Sequence, residues 1–105
     1  MGLTIHWTYF SENELQAVFS YYQEKVSIRV ATEITEGIVN ETDVLAKNPY
    51  IGQIDDYLQD RTKEFRYLLY NNYKIIYWIN LDKNQIEIWD VLDCRQEPLK
   101  IKRTK

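Results

Sequence analysis

The first half of the chain shows one strand pattern followed by two helical patterns. Apolar and polar residues alternate over residues 3–8, a period of two that predicts a strand. Ser11, with a glutamate three residues later, has the spacing of a capping box, so a helix is predicted to start there. Ser27 is the predicted N-cap of a second helix, which ends before Pro49 because the proline ring disfavours helical geometry in the preceding residue. Gly37 lowers the helix propensity of this segment, which predicts a close contact with another element at that point.

The second half reads as one loop followed by three strands. Residues 49–63 are polar and rich in turn-forming types, which predicts a loop. Residues 64–70 and 73–80 flank Asn71-Asn72, and asparagine tolerates the positive φ that a two-residue hairpin turn requires. The stretch QIEIWDVL alternates again and predicts a last strand. The element order is β-α-α-β-β-β, which indicates an α+β domain with a helical hairpin packed on one face of a small, mainly antiparallel sheet.

The predicted hairpin places its two cations on opposite faces of the sheet. With Asn71 and Asn72 as the turn, Arg66 lies opposite Tyr77, and side chains alternate along each strand. Lys74 is therefore expected on the face away from Arg66. The two cations do not form one patch unless the register changes, so Arg66 is the stronger candidate for a functional cation.

Length and composition limit the class of protein. The chain has 105 residues, 45% of them apolar, which suits a single domain over residues 1–105 with one core. Cys94 is the only cysteine, which excludes an internal disulfide and argues against a zinc cluster, and neither a metal nor a cofactor is expected. The apolar runs are too short to span a membrane and no secretory signal is recognised, so a cytoplasmic protein is expected.

Charge is divided unevenly along the chain. The net charge is −3, but residues 1–60 carry three basic and ten acidic side chains, whereas residues 61–105 carry ten basic and six acidic ones. This asymmetry suggests that the C-terminal half meets an anionic partner, either nucleic acid or an acidic protein segment. The alternative is that a basic tail, from about residue 96, only keeps the chain soluble. The tail cations expected to dock a partner are Lys100, Lys102 and Arg103.

Four short phrases occur along the chain in a particular order. IHWT lies in the first strand, NPYIG follows the second helix, FRYLLYNNYKIIYWI spans the hairpin and VLDCRQEP closes the sheet. In order and spacing they resemble the RelE/ParE superfamily of toxins from bacterial type II toxin–antitoxin pairs. In the closing phrase, Arg95 is followed three residues later by Pro98. The hairpin phrase is similar to the family's Arg-x-Leu … Tyr-Arg/Lys-x-x-Tyr pattern, carried here by Arg66, Leu68, Tyr73, Lys74 and Tyr77.

The resemblance implies one of two activities. RelE-like members are metal-independent ribonucleases that cut mRNA in the ribosome, whereas ParE-like members bind DNA gyrase. For a ribonuclease, the cations that match the family pattern are Arg66, Lys74 and Arg95, which would hold the phosphate as charge builds. Glu64 or Lys63, close to Arg66 in sequence, would supply the base that takes the proton from the 2′-hydroxyl.

One group that the ribonuclease reaction needs is missing from its expected position. Ribonucleolytic relatives usually carry Tyr or His shortly after the position of Arg95, where this chain reads QEPLKIKRTK, and the only histidine, His6, lies in the first strand. A positioned acid contributes about 10²–10⁴ in rate, and an acidic chain is poorly suited to binding many RNA phosphates. The gyrase-binding, ParE-like interpretation is therefore preferred. The ribonuclease is the alternative, and an inactive relative that acts as a binding module is the third.

The resemblance also implies a partner protein and a physiological role. A cognate antitoxin is expected to fold a disordered acidic segment over the toxin and neutralise its cations, and the toxin expressed alone is expected to inhibit growth, as in plasmid stabilisation. Arg66 and Arg95 are the leading candidates for target and antitoxin binding, with Lys74 third. Each also has a plain structural interpretation as the partner of a nearby carboxylate or aromatic ring.

Overall fold

The sheet contains five strands and is covered on one face by two helices. The computed structural model describes residues 2–55 and 62–96. The tail cations Lys100, Lys102 and Arg103 lie outside the described residues. The strands are β1 (Thr4–Trp7), β2 (Gln53–Ile54), β3 (Phe65–Tyr70), β4 (Tyr73–Asn80) and β5 (Gln85–Asp93), the helices are α1 (Tyr9–Lys25) and α2 (Ile28–Asp43), and short 3-10 helices span Val44–Ala46 and Cys94–Gln96.

The strand order in the sheet is β1-β5-β4-β3-β2. The first strand pairs in parallel with β5, and the other three pairings are antiparallel. The architecture confirms the predicted α+β fold with a helical hairpin on a mainly antiparallel sheet. The prediction that residues 49–63 form only a loop was wrong, because Gln53 and Ile54 pair with β3. A strand of two residues is too short to show an alternating pattern in the sequence.

The two helix starts differ in how well the sequence predicted them. The first helix begins at Tyr9 with Thr8 as its N-cap, and the backbone N–H of Ser11 donates to the Thr8 hydroxyl at 3.1 Å. The predicted start at Ser11 was therefore wrong by one turn, since Thr8 also has a capping hydroxyl. Ser27 caps α2 as predicted, accepting from the N–H of Val30 at 3.1 Å. That helix ends at Asp43 and continues as a 3-10 turn, before the predicted end.

The β3–β4 hairpin has the predicted register. Arg66 is opposite Tyr77, and the turn residue Asn71 has a φ of 53°. A bulge in β5 follows, because Ile76 pairs with Asp90 while Tyr77 pairs with Ile88, which leaves Trp89 as the extra residue.

Each face of the sheet has its own apolar cluster. The face under the helices contains the main core, which includes Ile38 and Leu45 from the helical layer and Tyr73, Ile75, Tyr77, Ile86, Ile88 and Val91 from the sheet. The opposite face, called here the second face, holds a smaller cluster of Phe65, Ile76 and Leu92 with Tyr67, Trp78 and Trp89 packed against it. A side chain at Gly37 would overlap the ring of Tyr70, so the predicted close contact of α2 is confirmed. Within the described residues, neither helix is long and apolar enough to cross a membrane.

Candidate functional site

The hydroxyl of Tyr77 connects the centre of the sheet to the loop that precedes β2. It donates to the carbonyl oxygen of Pro49 at 2.7 Å and accepts from the backbone N–H of Gly52 at 3.0 Å. The Tyr77 side chain is completely buried, and burial raises its pKa, so the hydroxyl stays neutral and can both donate and accept. A Cβ on Gly52 would come within 2.7 Å of the Tyr67 carbonyl oxygen, so this position requires glycine. The phrase NPYIG is thus a loop fixed by one tyrosine.

Arg66 holds the same loop from the outside. Its Nη1 donates to the carbonyl oxygens of Gly52 at 2.9 Å and Tyr50 at 3.4 Å, and its Nη2 lies 3.4 Å from the carboxylate of Glu64. The guanidinium also lies 5.1 Å from the centre of the Tyr50 ring. Only 16% of the Arg66 side chain is exposed. These contacts support the structural interpretation of Arg66, as a residue that fixes the loop.

Arg95 is exposed and paired with a carboxylate of its own strand end. Its Nη2 donates to one oxygen of Asp93 at 2.6 Å and its Nε to the other at 2.9 Å. Hydrogen bonds from Arg95 hold the pKa of Asp93 at about 2, although burial acts in the opposite direction. The same hydrogen bond raises the pKa of Arg95. Two-thirds of the Arg95 side chain, 66%, remains exposed, so a ligand from solution can reach it.

Arg66 and Arg95 do not share a site. Arg66 is level with Tyr77 in β4 and Ile88 in β5, whereas Arg95 lies beyond the far end of β5, where the N–H of Cys94 donates to the Asn72 carbonyl oxygen at 2.7 Å. A rise of about 3.3 Å per residue and a spacing of about 4.8 Å per strand put the backbone of Arg66 roughly 16 Å from that of Asp93, and Arg95 lies beyond Asp93. The expectation that both guanidinium groups brace one phosphate is not supported by this geometry.

Lys74 lies on the second face, away from Arg66 as the register predicted. It is only 7% exposed, its Nζ is 3.5 Å from the carboxylate of Asp55, and it lies 4.3 Å from the centre of the Tyr67 ring. A lysine in this setting is a partner of a buried carboxylate. It therefore does not join Arg66 in a cationic surface.

The two candidate bases also separate. Glu64 is exposed beside Arg66, at 3.4 Å from its guanidinium. The Nζ of Lys63 instead lies over the rings of Trp78 and Trp89 on the second face, 4.8 and 5.7 Å from the centres of the rings. Lys63 and Glu64 are adjacent in sequence but lie on opposite faces of the sheet, since side chains alternate along an extended chain.

A pair of tyrosines near Arg95 was missed by the sequence analysis. Tyr73 is the register partner of Asp93, and its hydroxyl is 3.5 Å from that of Tyr22 in α1. Burial raises the pKa of Tyr73, so it remains protonated. An acid was expected only among the residues that follow Arg95 in sequence. The pairing of β4 with β5 brings Tyr73 next to Asp93, so the acid can instead come from the neighbouring strand. The two hydroxyls lie on the helix-covered side of the sheet, near the end of β5 that leads to Arg95, and can act as proton donors there.

The comparisons with known proteins agree with this architecture. No protein-family model and no curated protein matches the sequence. Among solved structures, a chain of the chromosomal ParDE TA (toxin–antitoxin) system from P. aeruginosa superposes with a TM-score of 0.70 and 16% sequence identity, covering 85% of this chain and 92% of that one. The identity is low, so the likeness concerns the fold. The chain shares its fold with that protein, which is consistent with the RelE/ParE-like fold expected from the sequence.

Proposed function

We propose that this protein is the toxin of a type II toxin–antitoxin pair, which arrests growth by binding a cellular target and is neutralised by a cognate antitoxin. The observation that carries the proposal is the likeness to a chain of a ParDE toxin–antitoxin system over 85% of this sequence. The residues that carry the resemblance support it, because the Pro49–Gly52 loop, Arg66 and Tyr77 form one hydrogen-bonded unit.

DNA gyrase is the preferred target. The three cations that match the family pattern each bind a group of this chain: Arg66 binds carbonyl oxygens and Glu64, Lys74 binds Asp55, and Arg95 binds Asp93. A phosphate would have to compete with these partners, and the net charge of −3 adds long-range repulsion for RNA. A protein target does not need many phosphate contacts.

The test is to express the chain alone in bacteria and follow growth, plasmid supercoiling and the 5′ ends of mRNA. Growth arrest with altered supercoiling and intact mRNA is the expected result, and purified toxin should inhibit supercoiling by purified gyrase. Arg95→Ala should relieve the arrest, because it removes the most exposed of the three cations without touching the core. Arg29→Ala, at a side chain that is 80% exposed in α2, is the matched control and should still arrest growth.

The ribonuclease remains the second candidate because of the tyrosine pair near Arg95. Tyr22 and Tyr73 could supply the acid that the sequence after Arg95 lacks. New mRNA ends at codon positions during arrest, lost in a folded Tyr73→Phe variant, would favour this activity over gyrase binding. An inactive relative that acts as a binding module would cause no arrest at all, which would contradict the proposal.

A further inference from the structure

The second face of the sheet carries a lysine held between two tryptophans. The Nζ of Lys63 lies 4.8 Å from the centre of the Trp78 ring and 5.7 Å from that of Trp89. Trp89 packs edge-on against Phe65 at 5.2 Å, and its indole N–H donates to Glu87 at 3.1 Å. Trp78 packs against the same apolar cluster. Lys63, Trp78 and Trp89 are called the lysine–tryptophan cluster below.

The ammonium of Lys63 is positioned but not neutralised within the described residues. Arg66, Lys74 and Arg95 each have a carboxylate within 4 Å there, whereas Lys63 forms no salt bridge in those parts of the chain. The carboxylate of Glu87, which lies on the same face, already accepts from Asn80, Gln85 and Trp89 at 2.8, 2.9 and 3.1 Å. The aromatic faces stabilise the cation but leave its hydrogen-bond donors available.

We propose that the lysine–tryptophan cluster docks an acidic segment of the antitoxin, with one carboxylate paired to Lys63 and an adjacent apolar side chain packed on Trp78 and Trp89. This assignment rests on the proposed function, which supplies the partner. Lys63 is partly buried, unlike Lys25, Lys47 and Lys83, which are exposed. Because the rings already restrict its side chain, less conformational entropy is lost when a carboxylate binds. Tryptophan is also among the residue types enriched in protein interfaces.

The cluster suits a peptide better than a nucleic acid. Nucleic-acid affinity depends on neutralising many phosphates, and among the residues that the structure describes this surface offers one ammonium without a salt bridge, that of Lys63. The second face also carries the carboxylate of Glu87, which repels a continuous phosphate backbone. A segment with one or two carboxylates next to apolar residues avoids that repulsion and uses both the cation and the rings.

The test uses the full chain with Trp7→Phe, so that tryptophan fluorescence reports only Trp78 and Trp89. The probe is a short synthetic peptide in which glutamate alternates with leucine, titrated at low salt against a peptide with glutamine in place of glutamate. The glutamate peptide should change the fluorescence and bind more tightly than the glutamine peptide. Lys63→Gln should weaken its binding by roughly tenfold or more, as expected for losing a charge-assisted contact. Lys47→Gln removes an exposed lysine outside the sheet and should leave binding unchanged.

Equal affinity of the glutamate peptide for the Lys63→Gln and Lys47→Gln variants would overturn the assignment, and so would absence of binding. Tighter binding of a short oligothymidylate than of the glutamate peptide would also overturn the assignment, because it would show that the cluster binds nucleic acid and not an acidic peptide. Growth arrest by the wild-type chain expressed alone is a separate readout from peptide binding. Arrest without peptide binding refutes only this docking surface, whereas peptide binding without arrest refutes the toxin activity.

Discussion

At the residue scale, the hydroxyl of Tyr77 does more than fill the core. It is a buried polar group that uses its donor on Pro49 and its acceptor on Gly52, so it joins a central strand to a loop at the edge of the sheet. Buried polar groups are stable when they are fully paired and costly when one partner is removed. The loop is therefore held by this oxygen atom from inside the sheet and by the Arg66 guanidinium from outside.

Tyr77→Phe should therefore lower the free energy of unfolding by about 1–3 kcal/mol, since it leaves a carbonyl oxygen and an N–H unpaired in a dry site. The matched control is Tyr67→Phe, which removes a hydroxyl whose bond to Gln53 at 2.7 Å is exposed. That change should cost less than about 0.5 kcal/mol. Urea denaturation of both variants measures the difference, and equal losses would contradict the role given to Tyr77.

A second residue-scale feature is the carboxylate of Asp93, whose pKa is about 2 instead of the ordinary 3.8. Because the folded state holds fewer protons on this group than the unfolded chain, its contribution is complete above pH 3.8 and is lost as the pH falls towards 2. Unfolding free energies of the wild type and Asp93→Asn should therefore differ most at neutral pH and converge through that window. A difference that stays constant down to pH 2 would show that the Arg95 pair does not set this pKa.

At the element scale, α2 carries a glycine that a helix would normally disfavour. Gly37→Ala in an ordinary helix position stabilises by about 1 kcal/mol. Here the new methyl group would overlap the ring of Tyr70, so the substitution should destabilise the protein. In a Tyr70→Ala background the overlap is gone, and the same substitution should become neutral or stabilising. A double-mutant cycle by thermal denaturation checks the change of sign, and its absence would contradict the packing argument.

The elements that the sequence predicted well are those with long periodic patterns. The hairpin register followed from Asn71-Asn72 and placed Arg66 and Lys74 on opposite faces. Two features had no such signal: β2 is too short to alternate, and the parallel pairing of β1 with β5 joins segments far apart in the chain. The candidate site was only partly predictable. Its contacts join residues far apart in sequence, namely Arg66, Tyr77 and the carbonyl oxygens of the Pro49–Gly52 loop, and no sequence pattern indicates such contacts. The sequence named Arg95 as a candidate and Asp93 as a carboxylate that it could pair with, but the separation of Arg95 from Arg66 follows only from the strand order of the sheet.

At the scale of the whole molecule, candidate groups are spread over three places rather than gathered in one cleft. Arg66 lies by the edge loop, Arg95 at the far end of β5, and Lys63 on the second face. This dispersal suits a small protein that is recognised over a broad surface by a partner wrapping around it. An enzyme needs its reacting groups within a few ångströms of one substrate atom.

The position of β1 at the outer edge, with β5 as its neighbour, has a consequence for the order in which the sheet forms during synthesis. The N-terminal strand leaves the ribosome first but has no hydrogen-bonding neighbour in the sheet until residues 85–93 have been translated. A nascent chain therefore carries helices without a finished sheet for most of its synthesis. The sheet, and with it the core under the helices, is therefore completed only near the end of translation.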